Sequence, residues 1–138
     1  MANRKSDNLY VRQLIWDTFP EHREKILKLE HEEREFLGQD YEVNSYSLVS
    51  NVFISEILAP ALEENDDQAV GRSAKFIESL LASHREGVLE MASIRITDFL
   101  LGFPENWSSI REFAGPNLIE EVSRRAHYYR FDPFDRHN

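Results

Sequence analysis

Two histidines of the sequence have neighbours that could take part in metal or acid–base chemistry. His31 and Glu35 stand four residues apart, so a helix carries both side chains on one face, as a chelating pair requires. They lie in the charged run 21–36, which is typical of a solvated helix face. His84 belongs to a His-Arg-Glu triplet at a predicted helix end, where the helix dipole favours a protonated imidazole. We interpret both histidines as surface residues, so the sequence predicts no metal site.

Two acids interrupt apolar runs, Glu78 in FIESLL and Asp98 in ITDFLL. A buried carboxylate is costly unless it meets a cation or a helix N-terminus, so an inward-facing acid would need Arg72, Arg95 or such a terminus. The other interpretation places each acid on the one exposed stripe of its helix, and we adopt it. A carboxylate-pair hydrolase finds no further site residues in the sequence.

The basic and aromatic segment near the C-terminus has the composition of a surface on which single-stranded nucleic acid stacks. Its members are Arg124, Arg125, Tyr128, Tyr129, Arg130 and Phe131. The net charge of −9 opposes a nucleic-acid partner. The sequence lacks cysteine, the glycine motifs of nucleotide-binding enzymes and the Glu-x-x-His spacing of metal-binding bundles. We therefore predict a protein that is not an enzyme and has no cofactor.

Helical periodicity dominates the apolar pattern that must position these residues. The densest apolar run, 76–101, predicts two core helices joined by a polar turn. Only the stretch 93–97, SIRIT, alternates as a strand would, and we interpret it as helix. The predicted fold is all-α, an antiparallel bundle or irregular helical stack of about six to seven helices. One helical domain covers residues 1–138, with 128–138 as an extended C-terminal tail.

Capping and turn residues set the predicted helix boundaries. We expect a first helix capped by Ser6 or Asp7 and a second that starts with a Thr18–Glu21 capping box and closes at a left-handed Gly38. We expect Ser45 or Ser47 to start the third helix, and Pro60 to cause either a kink in it or an end near Leu58. Asp66 is expected to be the N-cap of a helix that runs to Ser83, and a fifth helix is expected over 88–101. Further helices are expected to start at Pro104 and Pro116.

Charge is distributed unevenly along the chain. Residues 1–70 contain 15 acids and 7 bases, whereas residues 71–138 contain 10 acids and 9 bases. Such a field repels nucleic acid and anionic membranes and attracts basic proteins, although solubility alone is the other interpretation. The N-terminus lacks the pattern of a secretory signal, and the apolar runs are shorter than the roughly 20 residues of a membrane span. We expect a cytoplasmic protein.

The order of short motifs resembles a known group of proteins. Phe19-Pro20-Glu21 is followed by Ala59-Pro60, then by Lys75-Phe76-Ile77-Glu78 and Asp98-Phe99-Leu100. Over about residues 10–122 the chain resembles the small, acidic, all-helical immunity proteins of bacterial polymorphic and contact-dependent toxin systems. The resemblance implies a cytoplasmic protein that neutralises one cognate toxin by binding it, and it carries over no catalytic residue. The C-terminal HYYRFDPFDRHN lies outside the resemblance.

An acidic immunity-type protein is expected to cover a basic surface of its toxin. We expect rim charges from Glu30, Glu32 and Glu33 and from an acidic corner of Glu63, Glu64, Asp66 and Asp67. We expect an exposed aromatic anchor at Tyr41, Tyr46 or Trp107. The alternative function is a helical adaptor or homo-oligomeric scaffold without catalytic activity, for example a homodimer.

Overall fold

The computed structural model describes residues 4–129 and 133–134, and this part of the chain forms seven helices and no strand. The helices are α1 (Arg4–Thr18), α2 (Arg23–Leu37), α3 (Ser45–Glu64), α4 (Asp67–Leu81), α5 (86–102), α6 (Pro104–Ile110) and α7 (Pro116–Arg125). Single 3₁₀ turns precede α2 and follow α6 and α7. The predicted all-α fold is therefore confirmed. Most of the predicted tail, 128–138, lies outside the described residues.

Three buried phenylalanines mark the centre of the core. Phe19 follows α1, Phe53 lies in α3 and Phe76 lies in α4, and each is at most 1% exposed. Their ring centroids are 4.5 to 5.9 Å apart in tilted and edge-to-face arrangements, which aromatic pairs prefer. The helix α5 adds apolar side chains at helical spacing, namely Val88, Met91, Ile96 and Leu100. The run 76–101 therefore supplies part of a core that α1 and α3 complete.

The helix α3 continues through Pro60, so the predicted end near Leu58 is wrong. Residues Val49–Leu58 form a π-helix, and an ordinary α-helix resumes at Ala59. The Ala59 amide donates to the Ile54 carbonyl, five residues back, and Pro60 then occupies the first turn of the α-helical segment, where no N–H is needed. A second π-helix, Ser93–Thr97, interrupts α5, so SIRIT is helical as predicted.

The whole of α3 is also long and apolar enough to cross a membrane by length and composition. The sequence did not suggest this, because each uninterrupted apolar run is much shorter than a span. Half of the most apolar window is buried inside the protein. A core helix meets the same two criteria as a membrane span.

Several predicted helix ends are confirmed and others are corrected. Asp66 caps α4 as predicted, because its Oδ1 accepts a hydrogen bond of 3.2 Å from the Ala69 amide. Gly38 ends α2 with a φ of 113°, but its ψ of 152° is extended rather than left-handed helical. The predicted capping box is wrong, since no side chain caps the turn after Phe19. There Glu21 instead pairs with Arg72.

The starts of α1 and α3 also differ from the prediction. The helix α1 already begins at Arg4, so Ser6 and Asp7 lie inside its first turns. The N-cap of α3 is Asn44, whose Oδ1 accepts a hydrogen bond of 2.9 Å from the Ser47 amide. Serine and asparagine are both good caps, so the local sequence did not separate the two.

The acids Glu78 and Asp98 are partly buried and paired, so their assignment to exposed stripes is wrong. Glu78 of α4 accepts hydrogen bonds from the Asn117 and Leu118 amides at 2.6 and 3.0 Å and thereby caps α7. Asp98 Oδ1 accepts from Arg125 Nη2 and from the Tyr129 hydroxyl, both at 2.7 Å. Partial burial and this bond raise the pKa of Tyr129 to about 12. Both acids hold α7 and its following turn against the core.

Candidate functional site

The tight turn between α3 and α4 carries the acidic corner, which consists of Glu63, Glu64, Asp66 and Asp67. All four side chains are exposed. The backbone beneath them is well defined, because the Asp66 amide donates to the Ala61 carbonyl at 3.1 Å. Asn65 adopts a left-handed conformation with a φ of 52°, which asparagine tolerates better than most residues. The corner therefore presents its charges from a short, hydrogen-bonded turn.

Glu63 and Glu64 lie where helix electrostatics disfavours them. They occupy the last turn of α3, whose free carbonyl groups give that end a partial negative charge. Asp66 and Asp67 instead stand at the start of α4, where the dipole favours acids. Within the part of the chain that the structure describes, no ion pair includes Glu63 or Glu64. Fold stability therefore accounts for the two aspartates and not for the two glutamates.

A small cavity of about 160 Å³ opens on one side of the corner, between α3 and the turn before α2. Glu21, Glu56 and Glu64 are among its lining residues. Arg72 Nη1 lies 2.7 Å from Glu21, and hydrogen bonding to Arg72 lowers the pKa of Glu21. Glu56 lies 3.7 Å from Lys25. Two of these three acids are therefore partly neutralised, whereas Glu64 has no ion pair within the described residues.

A larger cleft of about 500 Å³, the corner cleft, opens on the other side between α3 and α6. Its lining residues are Ala59, Leu62, Glu63, Asn65, Phe99, Phe103, Glu105, Asn106 and Ser109. Phe103 is 60% exposed and forms one wall. Among the described residues, the lining contains two acids and no basic side chain. The corner thus combines negative charge with an accessible apolar surface.

No family model, curated protein or solved structure matches this chain. Its function is therefore inferred from the chemistry of its surface. Exposed acids beside an exposed aromatic side chain are suited to binding a basic protein surface, since such interfaces combine a polar rim with apolar anchors.

Trp107 does not serve as the expected exposed anchor. Its side chain is 1% exposed, and its Nε1 donates to the Pro133 carbonyl at 2.8 Å. Phe134 packs edge-on against the indole, with ring centroids 6.0 Å apart. Trp107 and Ile110 lie three residues apart on the inner face of α6, so both face the core. The expectation that Trp107 is an exposed aromatic residue is therefore wrong.

The three acids of α2 that were expected at the rim differ in exposure. Glu30 is 6% exposed and forms two hydrogen bonds with Arg12, at 2.6 and 3.0 Å. These bonds raise the pKa of Arg12. Glu33 is half-buried and accepts a hydrogen bond of 2.7 Å from Ser47. Glu32 remains exposed, 4.0 Å from Lys28. Glu30 is thus an internal ion-pair partner and is excluded as a rim charge.

The predicted site residues do not converge on one surface. Glu33 meets α3 at Ser47, near the start of that helix, whereas Glu63 stands near its end. The separation along α3 is roughly 20–25 Å at the usual rise of a helix. Tyr41 and Tyr46 are half-buried, and the Arg95 guanidinium lies 5.4 Å from the Tyr46 ring centroid. The acidic corner is therefore the part of the predicted site that remains exposed and contiguous.

Sequence reasoning missed Phe103 as an exposed aromatic residue. Phe19 and Phe103 both precede a Pro-Glu pair and both stand just before a helical turn, as predicted. Phe19 is nevertheless buried among two other rings, whereas Phe103 is 60% exposed. The shared motif marks a helical start in both places but not one backbone conformation, since ψ is 65° at Phe19 and 121° at Phe103. It also carries no signal for burial, which depends on the tertiary neighbours.

The pair of His31 and Glu35 is a surface contact. His31 Nε2 lies 3.1 Å from Glu35 Oε1, and both side chains are mostly exposed. Over the described ranges 4–129 and 133–134, no cluster of three or more possible metal ligands is found. His84 is exposed in a left-handed conformation with a φ of 58°.

Proposed function

We propose that this protein is an immunity-type binding protein that neutralises a basic bacterial toxin by occupying its surface through the acidic corner. The observation that supports the proposal most directly is the placement of Glu63 and Glu64. Both are exposed, neither has an ion-pair partner within the described residues, and the dipole of α3 disfavours both. Basic side chains of a partner would offset the unfavourable placement of both charges.

The net charge of −9 adds a long-range electrostatic attraction for a basic partner. A basic toxin approaching the protein is attracted before contact, and the association rate falls as salt screens this attraction. Binding in this way needs no catalytic group and no cofactor. The proposal places the protein in the cytoplasm, where immunity proteins of this kind act.

The test measures binding to the toxin domain encoded beside this gene, used in a catalytically inactive form. Isothermal titration at low and moderate salt compares the native protein with the double variant Glu63→Lys/Glu64→Lys. We expect the double variant to bind at least about tenfold more weakly and with a shallower dependence on salt.

The matched control is Glu112→Lys/Glu120→Lys, which changes the net charge by the same amount at two exposed acids outside the corner. We expect it to retain most of the affinity. Equal losses of affinity in both double variants would mean that the corner contributes to binding only through the overall charge of the protein. A metabolic operon with no toxin gene beside this one, or a neighbouring toxin that does not bind the native protein, would contradict the proposal.

A further inference from the structure

The lining and volume of the corner cleft indicate what kind of partner segment it can bind. Its walls include Leu62, Phe99 and Phe103, and its rim carries Glu63 and Glu105. Leu62 is nearly buried at 7% exposure, Phe99 is half-buried and Phe103 is 60% exposed, so the apolar surface extends from the interior to solvent. A volume of about 500 Å³ lies within the range of cavities that bind ligands.

The wall that Phe103 forms is held in place by the backbone. The Asn106 amide donates to the Phe103 carbonyl at 3.0 Å, and Asn106 Nδ2 donates to the Phe99 carbonyl at 3.1 Å. Phe103 itself has an extended conformation, with φ of −133° and ψ of 121°. The segment between α5 and α6 is thus fixed by hydrogen bonds on both sides, and little ordering is needed when a partner binds.

Phe103 is exposed, whereas the phenylalanine at the equivalent position before α2 is buried. Phe19 occupies the same Phe-Pro-Glu context and packs against Phe53 and Phe76. The backbone differs between the two sites, with ψ of 65° at Phe19 and 121° at Phe103. Phe103 instead faces the cleft, and the described residues leave 60% of it exposed.

The charges at the cleft are of one sign. Glu63 and Glu105 flank it. Within the described part of the chain, neither has an ion pair and no basic residue lines the cleft. Lysine or arginine side chains of a partner would meet these carboxylates while an apolar side chain covers Phe103.

We propose that the corner cleft binds a short basic segment of a partner protein, in which one large apolar side chain enters the cleft between flanking lysine or arginine residues. This inference deepens the proposed function and rests on it for the identity of the partner. It adds a recognition pattern that overall charge does not supply.

The test uses a labelled peptide, Lys-Arg-Phe-Arg-Lys, and fluorescence anisotropy up to about 1 mM peptide. Two comparison peptides replace the central Phe with Ala, or all four basic residues with Glu. We expect the Ala peptide to bind at least about tenfold more weakly and the acidic peptide not to bind. Equal affinity of the Phe and Ala peptides would overturn the inference, because charge alone would then explain binding.

Protein variants locate the peptide. We expect Phe103→Ala to reduce affinity for the Phe peptide at least about tenfold. The matched control is Phe36→Ala, which removes an aromatic ring that is 89% exposed on α2, outside the cleft. Equal effects of the two substitutions would overturn the inference.

The outcome also separates this inference from the proposed function. If the toxin domain binds through the corner while no basic peptide binds, the short-segment inference fails and the proposed function stands. If the peptide binds and the neighbouring toxin does not, the cleft is a recognition site and the toxin assignment fails.

Discussion

Two buried serines show how differently the same hydroxyl group can act inside this protein. Ser73 of α4 is 0% exposed, and its Oγ has no hydrogen-bond partner among the described residues. Ser93 of α5 is 8% exposed, and its Oγ donates to Glu121 and accepts from Arg124 Nη2. An unpaired buried hydroxyl destabilises a fold, whereas a hydroxyl bonded to charged groups contributes stability.

We predict that Ser73→Ala stabilises the protein by about 1 kcal/mol, since it removes an unpaired polar group and improves helix propensity. Ser93→Ala, the matched control, is expected to destabilise it by about 1–3 kcal/mol because Glu121 loses a partner. Chemical denaturation of both variants checks the pair. A Ser73→Ala variant that loses as much stability as Ser93→Ala would show that Ser73 has a partner in solution.

A second residue-scale prediction concerns pH. The pKa of Tyr129 is raised to about 12, chiefly by partial burial and then by its hydrogen bond to Asp98. A raised pKa means that the contribution of this contact to stability is complete below about pH 10, the unfolded value, and is lost as the pH rises towards 12. Ultraviolet titration should therefore show one tyrosine that ionises near pH 12.

The variant Tyr129→Phe should remove that step, whereas Tyr128→Phe, which alters an exposed neighbour, should leave it in place. Retention of the step in the Tyr129→Phe protein would contradict the assignment. If the Tyr129→Phe protein lost stability at a lower pH than the native protein does, a group other than Tyr129 would control stability at alkaline pH.

At the scale of helices, carboxylates from one helix hold the start of another, and glycines leave room for them. Glu78 of α4 caps α7, and Gly115 stands directly before that helix. Asp7 of α1 approaches Gly87 at the start of α5 and accepts a hydrogen bond from Arg85 at 3.3 Å. In both places a side chain on the glycine would collide with the carboxylate. These contacts fix helix packing as well as helix ends.

We predict that Gly115→Ala destabilises the protein by about 1–3 kcal/mol. A Cβ at this position would lie 2.6 Å from Glu78 Cδ and would displace the carboxylate from the two amides that it caps. Gly102→Ala is the matched control, because nothing lies within 4 Å of the added carbon, and we expect a change within about 0.5 kcal/mol.

Thermal or chemical unfolding measures both glycine variants, and Glu78→Ala completes the comparison. In the Glu78→Ala background, Gly115→Ala should cost less than in the native protein, because the two changes act on one contact. Additive losses would show that the glycine is required for a reason other than the cap.

Local sequence predicts the helices of this protein well and their junctions only in part. Asp66 was recognised as a cap because its acceptor group acts on an amide three residues away. Glu78 was not, because its amides lie 39 and 40 residues further along the chain. The π-helices were missed for a related reason, since their hydrogen bonding departs from the periodicity by which helices are recognised.

At the scale of the molecule, charge is predictable from sequence and exposure is not. The acidic corner was found because short polar residues cluster between two apolar runs. Glu30 and Trp107 were misplaced because their burial depends on Arg12 and Pro133, each at least 18 residues away in sequence. Of the predicted site residues, those of the acidic corner are exposed next to one another, and the exposed ring of Phe103 lines the cleft beside them.

The cap that Glu78 provides also bears on the order in which the chain folds. A helix of ten residues such as α7 is marginal in isolation, and its first amides find their acceptor only on α4. The helix α7 is therefore expected to form after α4 is in place and to be among the first parts to open in the native state. The helix α7 then behaves as a late-docking unit, whose amides should exchange with solvent faster than those of α3 and α4.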